Sequence, residues 1–147
     1  MTDQNERKIV RVLNSNCRKS FREIAKETGT SPTAVIYTVK KLEAAGAIRA
    51  YIPVLNPEYF GYTLTAVIAA RISRGKLLEV QKKIAEDPHV AAVYDVTGDW
   101  DSFILGRFLG REDLNGFIKK LLAMPNIDRT LTHIVLNVVK EDYRVQV

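Results

Sequence analysis

The chain has 147 residues, is 46% hydrophobic and carries a formal net charge of +5 at pH 7, enough apolar material for a core but too little for two large domains. No apolar run reaches transmembrane length, and the polar start Met1-Thr2-Asp3-Gln4-Asn5-Glu6 is unlike a signal peptide, so a cytoplasmic protein is expected. A single cysteine, Cys17, and two histidines, His89 and His133, exclude a disulfide framework and a metal-ligand cluster, and neither metal nor cofactor is expected.

The positive charge is unevenly placed. Residues 1–50 hold ten Lys or Arg against five Asp or Glu, whereas the remainder holds twelve of each. A basic segment on a neutral one is the footprint of a nucleic-acid-binding module, although charge alone fits a solvated basic surface equally well.

A first helix is predicted from Asp3 to about Leu13, with Ile9, Val10 and Leu13 as its apolar stripe. A second begins at Ser20, where Ser20-Phe21-Arg22-Glu23 fits a capping box, and stops at Gly29. Ser31-Pro32 opens a third, an N-cap followed by proline at the first helical position. It runs to about Ala45, with Val35, Val39 and Leu42 inward and Thr33, Ala34, Tyr37, Thr38 and Lys41 outward. Ala47 to Pro53 reads as a short strand. The boundaries expected are a helix-turn-helix domain over 1–52, a linker over 53–62 and a second domain over 63–147.

In the second domain Leu64 to Ile72 alternates as a strand, and Leu77 to Ala85 is a helix stopped before Asp87-Pro88. Val90 to Thr97 and Ser102 to Leu109 are strands around the turn Gly98-Asp99. A helix carrying Leu114, Phe117, Ile118, Leu121 and Leu122 ends at Met124-Pro125-Asn126, and Leu131 to Val139 closes the domain. The order βαββαβ is ferredoxin-like, with both helices on one sheet face. Val67, Ala69, Val93 and Ile104 are expected on the other face, which a second subunit would cover. The fold class is therefore α+β: an N-terminal winged-helix-like helix-turn-helix followed by a ferredoxin-like domain.

Two short helices around a glycine turn make a helix-turn-helix, with Ala25 at the crossing, Gly29 in the turn and Val35 as anchor. Ser31, Pro32, Thr33, Ala34, Tyr37, Thr38 and Lys41 form the candidate DNA surface: hydroxyls can reach base edges, and Tyr37 can meet a phosphate or a thymine methyl. Lys40, Lys41 and Arg49 would add phosphate attraction. A tri-helical bundle used only for packing is the plainer alternative.

Together, Ser20-Phe21-Arg22-Glu23-Ile24-Ala25, Gly29-Thr30-Ser31-Pro32, Val39-Lys40-Lys41-Leu42-Glu43 and Gly46-Ala47-Ile48-Arg49-Ala50-Tyr51 resemble the N-terminal half of the Lrp/AsnC, or feast/famine, regulators of prokaryotes. Val96-Thr97-Gly98-Asp99-Trp100-Asp101 resembles the family's glycine-aspartate turn, and Thr132-His133-Ile134-Val135-Leu136 its closing strand. The resemblance implies a DNA-binding transcription regulator. It also implies homodimers built through the C-terminal sheets, assembly to octamers or other higher oligomers, and a free amino acid bound between subunits, with glutamine the first choice. Thr28 and Thr30 depart from the family's aliphatic turn residues and are expected to loosen the turn; Tyr37 stands where a basic residue is common, so a different operator is expected.

Carried over by position, the effector-site candidates are Thr97, Gly98, Asp99 and Asp101 from the turn and Thr130, Thr132 and His133 from the facing strand. An ammonium needs an acceptor such as Asp99 or Asp101, and a carboxylate needs backbone N–H groups or threonine hydroxyls. Gly98-Asp99 is also an ordinary hairpin turn. His89, His133, Cys17 and Trp100 each have plain packing or surface readings. A catalytic site is not expected, since no nucleophile elbow, phosphate loop or metal triad is present. An RNA-binding RRM lacks its aromatic third strand in Ser102-Phe103-Ile104-Leu105-Gly106-Arg107-Phe108. A metabolite-binding module without DNA remains the third alternative.

Overall fold

The computed structural model describes residues 3–73 and 75–147, which divide into two units: Met1–Val54 with Lys140–Val147, and Leu55–Val139. None of the described helices is long and apolar enough to cross a membrane.

In the N-terminal unit each helix starts where a side chain can take an orphan N–H. Helix α1 (Gln4–Ser15) is closed by a capping box of Asp3 and Glu6, α2 (Phe21–Thr28) by Ser20 and Glu23, and α3 (Pro32–Ala44) by Ser31, whose Oγ accepts from Ala34 N at 3.2 Å. Gly29 ends α2 at φ 70°, a left-handed conformation that disfavours residues with a Cβ. Ile9, Leu13, Ile24, Ala25, Val35 and Val39 form the core. The turn threonines do not loosen the packing: Thr28 Oγ1 donates to Ile24 O at 2.8 Å and lies 3.2 Å from Thr30 Oγ1.

Two expectations for this unit change. Residues 47–53 form no strand: Ala47 and Ile48 turn back to the Leu42 carbonyl, and Pro53 has no N–H to offer a ladder. Residues 140–147, expected at the end of the second domain, group with this unit. They return to α1, where Asn14 Nδ2 donates to Val145 O at 2.9 Å and Arg11 Nε to Val147 O at 2.5 Å.

The C-terminal unit runs β1 (Leu64–Ile72), α4 (Leu77–Ala85), β2 (Val90–Asp95), β3 (Ser102–Phe108), α5 (Arg111–Leu122) and β4 (Ile127–Ile134). The four strands are antiparallel in the order β2-β3-β1-β4, the ferredoxin-like arrangement. Strand β4 begins earlier and ends earlier than the 131–139 expected, because it pairs with β1 from Ile72↔Ile127 to Ala66↔Ile134 and β1 itself starts at Leu64.

Ala66, Ile68, Ala70, Ile72, Ile104 and Phe108 face the helices and pack with Val80, Ile84, Leu114, Phe117 and Leu121. The register settles the open face. Val67 pairs with Leu105 and His133, and Ala69 with Phe103 and Leu131, and directly opposed residues share a face. Val67 and Ala69 are therefore on the open side as expected, but Ile104 is wholly buried under the helices and Val93 packs on the same core. Phe103, Leu105, Tyr94 and Leu131 take their place.

Candidate DNA interface and effector turn

Helix α3 buries Val35, Val39 and Leu42 and leaves the opposite side to solvent. At 100° per residue Thr33, Tyr37 and Lys40 fall on one stripe, with Ala34 and Lys41 beside it. Thr33, Ala34 and Lys40 are exposed, Thr38 is half-buried, and Tyr37 is 71% exposed. Ser31 and Pro32 stand at the N-terminal end of the stripe, Ser31 already committed to its cap. Arg49 is exposed beyond the C-terminal end of the helix. Lys40 and Arg49 make no ion pair among the described residues.

Lys41 is ion-paired within the unit. Its ammonium lies 2.5 Å from Glu6 Oε1, and that bond raises the Lys41 pKa above its usual value while holding the Glu6 carboxyl below its own. Nearby, Tyr51 OH donates to Glu43 Oε1 at 2.9 Å. Burial first, then that hydrogen bond, pushes the phenol up to about 12, so this tyrosine is a neutral anchor for the segment after α3.

In the C-terminal unit the turn between β2 and β3 folds onto the end of β1. Asp101 N donates to Ala70 O at 3.1 Å, and Ile72 N donates to Asp101 Oδ2 at 2.8 Å. The Arg71 guanidinium donates to the Asp99 carbonyl and lies 3.9 Å from Asp101 Oδ2. Gly98 has φ 113°, a value that a residue with a Cβ rarely adopts. Asp101 therefore holds the turn in place, while no hydrogen bond from a described residue engages the exposed Asp99 carboxyl. Thr97 and Gly98 are exposed beside it.

The strand candidates separate from the turn. Thr130 opposes Ala70, one strand beyond the turn's contact. Thr132 and His133 lie two and three residues farther, about 7 and 10 Å along the strand. Thr130 and Thr132 share the helix-covered face with Ala70 and Ile68, and His133 opposes Val67 on the open one. Within the chain the seven residues are two groups, not a single cavity.

The sequence reading passed over two cations here. Arg71 and Arg129 are directly paired across β1 and β4, and the Arg129 guanidinium lies 4.6 Å from the Trp100 ring centroid, a cation–π distance. The available signal was Arg71 itself, the one charge in the strand, next to its last residue.

A helix-turn-helix with an uncommitted polar stripe, joined to a ferredoxin-like unit, defines a two-domain DNA-binding protein. The winged helix-turn-helix DNA-binding family matches residues 2–49, and the Lrp/AsnC ligand binding domain matches residues 65–145. An uncharacterized HTH-type transcriptional regulator of Pyrococcus horikoshii is 41% identical over 144 residues, covering 98% of this chain and 97% of the relative. The HTH-type transcriptional regulator FL11 of the same organism is 32% identical over 139 residues, covering 95% and 92%. AsnC of E. coli superposes with a TM-score of 0.89 at 26% identity, over 99% of both chains. A regulator of Neisseria meningitidis solved as a complex with L-Met gives 0.89 at 25% identity, over 99% and 96%.

The chain belongs to the Lrp/AsnC family: it is a DNA-binding transcriptional regulator with a ligand-binding domain.

Proposed function

We propose that α3 reads operator DNA and that a free amino acid bound at the β2–β3 turn controls it. The observation carrying the first half is the exposed stripe of Thr33, Tyr37 and Lys40, whose polar ends make no hydrogen bond or ion pair among the described residues. Thr33 and Thr38 hydroxyls supply base-edge contacts, Tyr37 an apolar or phosphate contact, and Lys40 and Arg49 sequence-independent attraction. In a dimer, two such helices enter successive major grooves about 34–36 Å apart.

The chemistry of the turn supports the second half. The Asp99 carboxylate is an acceptor for an ammonium, and Arg71 and Arg129 beside it are donors for a carboxylate. These are the two ends of a zwitterion. The open sheet face, with Phe103, Leu105, Val67 and Leu131 at its centre, supports a homodimer that would bring His133 of one subunit, on that same face, toward the turn of another, whereas Thr130 and Thr132 lie on the helix-covered face. The relative solved with L-Met makes an apolar amino acid a candidate beside glutamine. An effector acts only through its unequal affinity for two assemblies.

The test is binding to upstream DNA, titrated with salt, with and without each free amino acid. A protected site that shifts with one amino acid is the expected result. Tyr37→Ala should reduce discrimination by about 1–3 kcal/mol, and Asp99→Asn should abolish the amino-acid response while leaving DNA affinity unchanged. Equal affinity for upstream and random DNA at low salt would refute the first half; a site that no amino acid alters would refute the second.

A further inference from the structure

Among the described residues of the N-terminal unit, Glu6 is the only charged one that is buried. Both of its oxygens are in use. Oε2 accepts from Asp3 N at 3.3 Å and completes the α1 capping box, while Oε1 accepts from Lys41 Nζ at 2.5 Å. One carboxylate thus joins the first turn of α1 to the third turn of α3, across 35 residues of sequence.

That arrangement bears on what Lys41 does. A phosphate that captured the Lys41 ammonium would leave the largely buried Glu6 carboxylate with the Asp3 N–H alone and no cation, which is an unfavourable exchange. Lys40, one residue earlier and on the exposed stripe, has no such partner to abandon. Lys41 also sits about 40° around the helix from Tyr37 and about 80° from Thr33. Any rotation of α3 that its tether prevents would swing both reading side chains off their targets.

We infer that Glu6 and Lys41 are a positioning pair that fixes the rotation of the recognition helix, and that Lys41 makes no phosphate contact. The inference rests on α3 being the DNA-reading helix. It assigns counterion release to Lys40 and sequence discrimination partly to Glu6, a residue on α1 rather than on the recognition helix.

The experiment measures affinity against salt for an operator selected from random duplexes and for random duplex itself. Lys40→Met should flatten the plot of log affinity against log salt by about 0.9 on both DNAs. Lys41→Met should leave that slope unchanged and lower the ratio of operator to random affinity about tenfold, as loss of one well-formed base contact does. Lys41→Arg should restore the ratio. Glu6→Gln, which frees the ammonium, should steepen the slope by about 0.9. Flattening by Lys41→Met to the same degree as Lys40→Met, with the ratio intact, would overturn the inference. If the wild-type protein failed to discriminate any DNA, the DNA-reading proposal would fall, and thermal unfolding of Glu6→Gln, Lys41→Met and the double variant would still decide the tether. Non-additive melting shifts support it; additive ones overturn it.

Discussion

The N-terminal unit defines its helices by their ends, and the C-terminal unit by what they lie on. All three N-terminal helices begin with a side chain bonded to a backbone N–H in their first turn. Neither α4 nor α5 has such a cap, and both are held by the apolar layer on β1 and β3. The charge follows the same division. The N-terminal unit keeps the whole excess of +5, because Lys140 and Arg144 in its returning tail are matched by Glu141 and Asp142. A unit that must present polar and cationic groups has only a small core, so its helices draw on local capping. A neutral unit can spend its surface on packing and leaves one sheet face apolar.

Substitutions that strike one mode of stabilisation and spare the other will test this contrast. Phe108→Ala removes a wholly buried ring stacked 5.4 Å from His89 and packed against Phe117, and should cost about 3–5 kcal/mol in the transition that reports the sheet. If denaturant melts followed residue by residue shift equally in the two units, they are not separate in stability and the contrast fails. Gly106→Ala should cost about 1–3 kcal/mol, because a Cβ there meets the Phe108 ring at 2.7 Å; a melting point unchanged from wild type would show that the ring moves freely. Ser20→Ala deletes the α2 cap and should cost about 1 kcal/mol in the unfolding of the N-terminal unit alone. A loss shared by the sheet transition would show that capping in one unit is not a local matter.

The same division decides what the sequence discloses. Ser20-x-x-Glu23 and Ser31-Pro32 are complete within a few residues, so the ends of α2 and α3 are legible from the string. So is the turn at Gly29. The face of Ile104 is not: in an alternating run either parity serves, and only the pairing Ile68↔Ile104 with β1 puts it under the helices. Likewise the return of residues 140–147 to α1 depends on side-chain bonds from Asn14 and Arg11, and neither residue announces them. At the site, the exposed stripe of α3 follows from helical period alone, whereas the engagement of Lys41 requires knowing that Glu6 lies opposite. Arg71 and Arg129 become neighbours only through the β1–β4 register.

Acid should produce the smallest effect, and it reaches both units. Burial of Asp87 opposes its charged form, but the backbone and side-chain bonds from His89 outweigh this and hold its carboxyl below the ordinary 3.8. Glu6 is likewise held below 4.5, chiefly by Lys41. A carboxyl that titrates lower in the folded chain than in the unfolded one adds stability that is fully present above the unfolded value. That stability is lost as the pH falls through the folded value. Melting temperature should therefore be flat from neutral pH down to the ordinary carboxylate range and decline below it. Asp87→Asn should reduce the decline in the C-terminal unit, where Glu79 is also held below its ordinary value, and Glu6→Gln that in the N-terminal unit, where Glu23 and Asp142 are held low as well. Carboxyl NMR titration supplies the direct check. If either residue titrates at or above its ordinary value, its bond in the folded chain is weaker than the geometry implies; for Glu6, the tether on α3 would then lack the strength to set the recognition helix.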